Sequence, residues 1–306
     1  MKICASLIFV LIAHYSLTAQ EEVRVQTKGV ELFGTLLVPE KKTKKAILLI
    51  SGSGATDRDG NTKPTYSNDA LKKLAEDLTA LGFATLRYDK RGVGRSVSDS
   101  LHTEGLRFEQ YADDAAVWLS FLRKRYSKIT IIGHSQGALV GMMAAQKSQA
   151  DKFISLAGLS EDAYTTVKRQ LSNQPAFVVD AAYPILDSLK LGVKIAVIPP
   201  FLNSLFNPKT QDYLISFMKY DPRIEIKKMN CPILVVQGTT DLQITLEGAT
   251  AMSQCSPYAT LKIVEGMNHV LRQSSKEANE NMGTYSNPTL PLHPDLVNTI
   301  KIFLAQ

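Results

Sequence analysis

The stretch KITIIGHSQGALVGMMAAQK, from Lys128 to Lys147, joins a strand to a helix with almost no loop between them. Its apolar start, KITII, is typical of a buried strand, and the residues after the turn favour a helix. Ser135 stands at the junction, where so tight a turn forces a strained backbone conformation. Gly133 and Gly137 lie two residues to either side, where a larger side chain would collide. This is the G-x-S-x-G nucleophile elbow in its strand-turn-helix context, an arrangement that lifts the serine hydroxyl clear of the backbone.

Strands alternate with helices in the rest of the chain, after an opening hairpin that turns at Lys28 and Gly29. Besides KITIIGH, the later predicted strands are KKAILLIS, FATLRYD, KFISLAG, CPILVVQG and ATLKIVEG. The other predicted helices of this alternation are SNDALKKLAEDLTALG, FEQYADDAAVWLSFLRKRY, TLEGATAMSQ and HPDLVNTIKIFLAQ. The alternation predicts the α/β class, with a mainly parallel sheet of about eight strands flanked by helices.

The interval 159–228 breaks this alternation, because it holds no good buried strand. It contains VKIAVIPPFLNSLFNPKTQDYLISFMKYDP, which is helical and apolar in pieces. We expect a helical cap insertion here, lying across the strand ends and setting the preference for substrate chain length. The core would then have two parts, 21–158 and 229–306. A run of ordinary packing helices is the alternative.

The first twenty residues have the layout of a secretory signal peptide. Lys2 gives a positive start, the run ICASLIFVLIA is too short to span a bilayer, and Ala19 is a small residue at a plausible cleavage point. We expect export to the periplasm or the medium, a mature chain starting near Gln20, and no stable membrane anchor after cleavage. A buried first helix and a retained anchor are the alternatives.

The composition of the chain limits the kinds of molecule that we expect it to bind. The 306 residues suffice for a sizeable core, and the net charge of +6 comes from scattered lysines and arginines. Without a basic helix face or interleaved aromatic residues, the sequence gives no sign of nucleic-acid binding. Nothing in it specifies an oligomeric state.

Two cysteines, Cys231 and Cys255, remain after the predicted cleavage. We expect two buried free thiols, although an oxidising compartment would also permit a bridge between them. Neither cysteine lies in a C-x-x-C pair or beside a histidine, so the sequence predicts no zinc site.

A nucleophilic serine needs a base, and the sequence has five histidines. They are His14, His102, His134, His269 and His293. His134 neighbours the serine, where a side chain points away from the hydroxyl and packs under the turn. His269, in EGMNHV, directly follows the last strand. Loops at the carboxyl ends of parallel strands share one edge of a sheet, so we expect His269 to meet Ser135 there.

The base in turn needs a carboxylate to orient it. Asp241, in VVQGTTD, follows the penultimate strand at the same edge and gives the chain order Ser, Asp, His. Asp221, before a proline, and Glu265, beside the last strand, are the rivals.

Two backbone N–H groups should hold an oxyanion. The N–H of Gln136, directly after the serine, is one predicted donor. The loop SGSGATDRDGN follows the strand AILLI, and there Ser53 lies between two glycines that allow the chain a close approach. Its N–H is the second predicted donor, and a plain glycine-rich turn is the alternative.

Taken together, GHSQG, VVQGTTD, EGMNHV and YDKRGVGRS resemble the α/β-hydrolase superfamily, and the resemblance runs from about Val23 to the C-terminus. The resemblance implies the α/β-hydrolase fold. Within the superfamily, the chain is most similar to exported bacterial esterases of the serine-aminopeptidase-like group. In that pattern Asp89, Arg91 and Gly92 hold a sharp turn near the site. The chain departs from many relatives in having Ser51-Gly52 where they carry His-Gly.

The resemblance implies acyl transfer to water through Ser135, His269 and Asp241, with no metal or organic cofactor. The first expected function is a carboxylesterase acting on small-molecule esters of small or medium acyl chains. An aminopeptidase or thioesterase using the same residues is the second, and an acidic patch such as Glu161 and Asp162 would favour the peptidase. A non-catalytic binding protein on the same fold is the third.

Overall fold

Eight strands form one sheet in the computed structural model, which describes residues 19–97 and 105–306. The strands are β1 (Ala19–Thr27), β2 (Val30–Val38), β3 (Lys45–Ile50), β4 (Ala84–Tyr88), β5 (Lys128–His134), β6 (Lys152–Leu156), β7 (Ile233–Gly238) and β8 (Ala259–Val264).

Their order across the sheet is β1-β2-β4-β3-β5-β6-β7-β8. The first two strands form the predicted hairpin, with Gly29 at a φ of 78° in its turn, and β2 pairs antiparallel with β4. From β4 to β8 every pairing is parallel. The predicted fold class, a mainly parallel sheet of about eight strands flanked by helices, is therefore confirmed. A parallel sheet brings the carboxyl ends of β3, β5, β7 and β8 to one edge, and the site lies there.

Helices cover both faces of the sheet. In the described part of the chain they are α1 (Ala70–Ala80), α2 (Glu109–Arg123), α3 (Gln136–Lys147), α4 (Ala163–Leu171), α5 (Ala176–Lys190), α6 (Asn203–Phe206), α7 (Gln211–Phe217), α8 (Pro222–Glu225), α9 (Leu246–Ser253), α10 (Ala278–Gly283) and α11 (Pro294–Ala305).

Strand β3 shows how the two faces are filled. Its side chains alternate, so that Leu48 and Ile50 pack in the core beneath α2 and α3, while Ile47 and Leu49 pack in the core beneath α1 and α11. All four side chains are almost fully buried. Each such residue contributes about 1.5–3 kcal/mol to folding, so the central strands that carry the site are rigidly held.

The interval 159–228 lies between β6 and β7 and contains α4 to α8. Its helices pack on one another and on the flank of the core: α4 contacts α5, α5 contacts α7, and α8 contacts α3 and α9. At the start of α2, the Phe108 ring lies 4.5 Å from that of Phe217 and 6.1 Å from that of Tyr213, both on α7. This aromatic contact holds the insertion against α2.

Both remaining cysteines are free thiols, as expected. Cys231 is buried, and burial raises the pKa of its thiol to about 11. Cys255 is only partly buried, contrary to expectation, because it follows the last turn of α9, where its Sγ lies 3.3 Å from the carbonyl oxygen of Ala251.

One sequence prediction and one of the four histidines outside the predicted signal peptide fall on undescribed residues. The predicted signal peptide lies, up to residue 18, outside the described chain, and so does His102. Strand β1 begins at Ala19, next to the predicted cleavage point. No helix within 19–97 and 105–306 has the length and apolar character needed to cross a membrane.

Candidate active site

Ser135 occupies a sharp turn between β5 and α3, with φ of 54° and ψ of −124°. An L-residue rarely adopts a positive φ, and holding one there costs about 1–3 kcal/mol. The flanking glycines explain why the turn can close. A Cβ on Gly133 would lie 2.4 Å from Cα of Ala138, and one on Gly137 would lie 2.3 Å from the carbonyl oxygen of Ile50. The backbone geometry is that of the predicted elbow.

His269 lies in the loop after β8, and its Nδ1 is 2.9 Å from Oδ2 of Asp241, in the loop after β7. Oδ1 of Asp241 accepts hydrogen bonds from the backbone N–H groups of Gln243 and Ile244, at 2.7 and 3.0 Å. The Gln237 side chain donates to Oδ2 at 3.0 Å. Because an ionised carboxylate only accepts, Nδ1 of His269 carries the proton and Nε2 has a free lone pair.

The electrostatics of Asp241 favour its charged form. Burial alone would raise the pKa of this carboxyl, whose side chain has no exposed surface. The His269 interaction and the two backbone N–H groups outweigh burial and hold the pKa below its usual value. Asp241 is therefore ionised at neutral pH and is suited to orient a histidine that becomes positively charged.

The rival carboxylates lie elsewhere. Asp221 caps α8 through the backbone N–H of Arg223 and pairs with that arginine's side chain. Glu265 is exposed. Neither is a hydrogen-bond partner of His269 among the described residues, whereas Asp241 is.

Two other histidines have structural contacts. Nε2 of His134 is 2.8 Å from the carbonyl oxygen of His269, so this nitrogen donates and the ring supports the His269 loop. Burial lowers the pKa of His134 to about 4, which keeps it neutral at pH 7. His293 caps α11, with its Nδ1 accepting from the N–H of Asp295 at 3.2 Å.

A cavity of about 260 Å³ brings Ser135 and His269 together. Its remaining lining comes mainly from the segment 52–71, with Tyr66 in edge contact with Tyr285 at 5.6 Å between ring centroids. Gln243 also lines it and donates to the Tyr285 hydroxyl at 3.0 Å. Although Ser135 and His269 share this space, the described chain has no hydrogen bond between their side chains. Catalytic hydrogen bonds often tighten only when substrate binds.

Both predicted oxyanion donors adjoin the serine. Ser53 and Gly52 line the cavity, and a Cβ on Gly52 would lie 3.2 Å from Cβ of Ser135. Gln136 is the first residue of α3, where a backbone N–H has no partner within the helix. Within the described chain, neither the N–H of Ser53 nor that of Gln136 has a hydrogen-bond partner. Both are free to bind a negatively charged oxygen.

Comparisons with known proteins point to the same fold. A family model described as "Serine aminopeptidase, S33" matches residues 66–191, which include Ser135 but neither Asp241 nor His269. Solved structures with the same architecture align along nearly the whole chain. The chain has the α/β-hydrolase fold.

Several proteins that this chain resembles are named esterases. Esterase EstD of Thermotoga maritima is 27% identical over 235 residues, a match that covers 74% of this chain but only 54% of that protein. Est1E of Butyrivibrio proteoclasticus, solved with ferulic acid bound, aligns with a TM-score of 0.59 and 18% identity over 93% of this chain and all of its own. The Pyrococcus furiosus esterase Pf2001 aligns with a TM-score of 0.61 and 15% identity over 94% of this chain and 91% of its own.

The YDKRGVGRS segment forms the sharp turn that the resemblance implied. The Asp89 carboxylate accepts the backbone N–H groups of Arg58 and Arg95, both at 2.9 Å. Gly94 has φ of 54°, and a Cβ there would lie 2.5 Å from this carboxylate. Arg91 donates to Asp114 at 2.7 Å. These contacts show how the turn is held.

Sequence reasoning overlooked Lys90, which lies between Asp89 and Arg91 in this segment. Its Nζ is buried and donates to carbonyl oxygens of the Ser53 loop. It also overlooked Tyr66, Gln243 and Tyr285 as cavity residues. The signal for Lys90 was a lysine directly after a buried strand, a position where solvent is scarce. Tyr66, Gln243 and Tyr285 are brought together by contacts between segments far apart in the sequence, so no local sequence pattern indicates them.

No group of three or more His, Cys, Asp or Glu side chains placed to hold a metal ion occurs within the described ranges 19–97 and 105–306.

Proposed function

We propose that this α/β-hydrolase is a serine esterase that cleaves carboxylic esters of small or medium acyl chains. Ser135 is the nucleophile, His269 the base and Asp241 the residue that orients the base. One observation carries the proposal: the strained serine opens into the same cavity as a histidine whose Nδ1 is bound to a buried, ionised aspartate.

The first half of the reaction forms an acyl-enzyme. Ser135 Oγ attacks the ester carbonyl while Nε2 of His269 takes the hydroxyl proton, and Asp241 stabilises the resulting imidazolium. The carbonyl oxygen becomes an oxyanion held by the N–H groups of Ser53 and Gln136. As this intermediate collapses, His269 returns the proton to the leaving alcohol.

The second half repeats these steps with water. His269 takes a proton from a water molecule, which attacks the acyl carbon of the ester formed with Ser135. The same two N–H groups hold the second oxyanion. When the bond to Oγ breaks, His269 returns the proton to Ser135 and the acid leaves.

The cavity supports a small substrate. Its volume of about 260 Å³ lies below the range of about 300–1,000 Å³ that is common for sites binding drug-sized ligands. None of its lining residues comes from the insertion 159–228. The apolar insertion was expected to set chain-length preference, but its helices pack against one another and against α2, α3 and α9. We therefore assign substrate size to the segment 52–71 and Tyr285.

The cavity favours an ester over a peptide. A peptidase that removes N-terminal residues must bind an α-amino group, yet the lining of the described cavity includes no carboxylate. Glu161 and Asp162, the expected acidic patch, lie outside the lining and are engaged by Arg169 and Lys190. A thioester would meet the same groups as an ester, so a substrate panel must separate these two.

We also propose that the enzyme works after export, in the periplasm or the medium. The proposal rests on the layout of residues 1–20 alone. N-terminal sequencing of the protein recovered from the cell exterior tests it, and an intact Met1 on intracellular protein would reject it.

The catalytic proposal is tested with Ser135→Ala. This variant should lose hydrolysis of p-nitrophenyl acetate by at least about 10³-fold and lose labelling by a fluorophosphonate, because the nucleophile is gone. Its melting curve should stay close to that of the wild type. Ser155→Ala is the matched control, since Ser155 is a buried serine on the neighbouring strand β6 that does not line the cavity.

Full activity in Ser135→Ala would remove this serine from the mechanism. A folded wild-type protein that takes up no fluorophosphonate at Ser135 would favour a binding protein. Esters, thioesters and aminoacyl amides of the same acyl group, compared by kcat/KM, then identify the preferred linkage.

A further inference from the structure

We propose that Lys90 is a positioning residue, which holds the Gly52–Ser53 peptide so that its N–H faces the reacting oxygen. The proposal rests on the esterase function above, and it assigns a task to a buried lysine that the mechanism does not otherwise use. Lys90 follows β4, and its side chain reaches from there into the loop after β3.

The contacts of Lys90 are with backbone. Its Nζ donates to the carbonyl oxygen of Gly52 and, at 3.0 Å, to that of Gly54. The residue is 2% exposed. The two carbonyls flank Ser53, so one ammonium group binds the loop on both sides of the proposed oxyanion donor.

Peptide geometry connects this contact to the reaction. The carbonyl of Gly52 and the N–H of Ser53 belong to the same peptide group, which is planar and trans. In a trans peptide the two bonds point in opposite directions. With its C=O fixed on Lys90, this group directs its N–H away from Lys90. Gly52, Ser53 and Ser135 all line the cavity, and the proposal is that this N–H faces it. Hydrogen bonding at the oxygen also polarises the N–H and makes it a stronger donor.

Side chains also occupy the neighbouring carbonyls of the loop. The Thr56 hydroxyl donates to the carbonyl oxygen of Ser53 at 2.7 Å, and the Ser51 hydroxyl donates to that of Thr56 at 3.1 Å. The loop is thus bound through its oxygens, which leaves the N–H of Ser53 unused.

An ion pair does not explain the burial of Lys90. In the described chain no carboxylate lies within ion-pair distance of its Nζ, because Asp89 is engaged by Arg58 and Asp114 by Arg91. Its Nζ lies 5.8 Å from the centroid of the Tyr111 ring. Burial lowers the pKa of Lys90 to about 7, so about half of the molecules carry this positive charge at pH 7. Burying a charge costs free energy, and a positive charge behind the Gly52–Ser53 peptide offsets some of the charge on an oxyanion in front of it.

Lys90→Met tests the proposal, because methionine keeps a comparable length but cannot donate. Losing a direct oxyanion donor lowers kcat by about 10²–10³-fold. Lys90 acts through the peptide, so we expect a fall of about 10–100-fold in kcat with KM for p-nitrophenyl acetate changed less than twofold. A trifluoromethyl ketone, which forms an oxyanion on Ser135, should bind more weakly by a similar factor. The matching methyl ketone should bind as it does to the wild type.

Lys152→Met is the matched control. Lys152 also donates to two backbone carbonyls, those of Phe303 and Leu304, and lies 5.2 Å from the Phe303 ring, but it does not line the cavity. Both kcat and ketone binding should be unchanged in this variant.

Each outcome bears on the proposal. If Lys90→Met binds both ketones more weakly by the same factor, or has a raised KM with unchanged kcat, Lys90 only maintains the shape of the loop. Either result would reject its proposed role in positioning the N–H of Ser53. If Lys90→Met loses its native melting transition, Lys90→Gln carries the test, since its shorter amide still donates and should give an intermediate kcat. If neither variant folds, Lys90 is a structural residue and the proposal is wrong. A wild-type protein that shows no reaction at Ser135 rejects the esterase proposal, whereas an active wild type with a fully active Lys90→Met rejects only the role of Lys90.

Discussion

The strain at Ser135 predicts that glycine at this position makes the protein more stable than alanine does. Ser135→Gly and Ser135→Ala both remove the hydroxyl, so comparing them isolates the backbone. At φ of 54° and ψ of −124°, an L-residue costs about 1–3 kcal/mol, and glycine costs almost nothing. Glycine in turn loses about 0.5–1 kcal/mol more than alanine to backbone entropy on folding. The free energy of unfolding should therefore be higher for Ser135→Gly by about 0.5–2 kcal/mol.

Urea titrations and thermal melts followed by circular dichroism measure this difference, which at this chain size corresponds to a Tm shift of roughly 1–4 °C. Ser148→Gly and Ser148→Ala provide the matched pair. Ser148 follows the other end of α3 with φ of −142° and ψ of 108°, an ordinary extended conformation, so there the alanine variant should be the more stable. If glycine and alanine rank at position 135 as they do at position 148, the turn stores no strain and the reasoning fails.

Two further predictions concern Asp241 and His134. Asp241→Asn should lower kcat by about 10³–10⁴-fold with little change in Tm, because an amide donor opposite Nδ1 favours the wrong tautomer of His269. Steady-state kinetics test this, and a loss below tenfold would contradict it. The pKa of His134 falls to about 4 on folding, so below about pH 6.5 the unfolded chain takes up a proton that the folded chain does not. The free energy of unfolding should therefore fall as the pH drops from about 6.5 towards 4. Urea titrations at pH 7 and pH 4.5 measure this change. Over this interval His134→Gln should lose less stability than the wild type, by an amount on the order of 2–3 kcal/mol. Equal losses would refute the lowered pKa of His134.

The elbow could be predicted from the sequence because its geometry is local. Gly133, Ser135 and Gly137 are fixed by a turn that spans five residues, and close packing leaves no room for other side chains at the two glycines. Asp241 and His269 could be predicted for a different reason. Each lies in the loop just after a strand, and in a parallel sheet that position places a residue at the shared edge.

The support of the site could not be predicted in the same way. Lys90 reaches the oxyanion loop from a neighbouring strand end, and nothing near it in the sequence indicates which carbonyls it binds. Tyr285 reaches the cavity from a segment more than two hundred residues after Tyr66. Such contacts depend on the path of long loops, which hydrophobic periodicity does not encode.

The insertion shows the limit of reasoning from composition. Its apolar character suggested a role in binding substrate, but Phe206 and Phe217 are buried within the packing of the insertion and its contact with α2. Apolar residues of this kind are needed for any packed helix pair. Hydrophobicity alone therefore does not distinguish a wall of the cavity from a structural core.

The separation of the cavity from the insertion has a consequence for how this protein can diversify. Selection for a new substrate would act on the segment 52–71 and on Tyr285, whereas no residue of 159–228 lines the cavity. The cavity lining and the exposed outer surface of the insertion are thus two modules on one scaffold. A directed-evolution library aimed at altered acyl range should therefore concentrate its diversity on the first module.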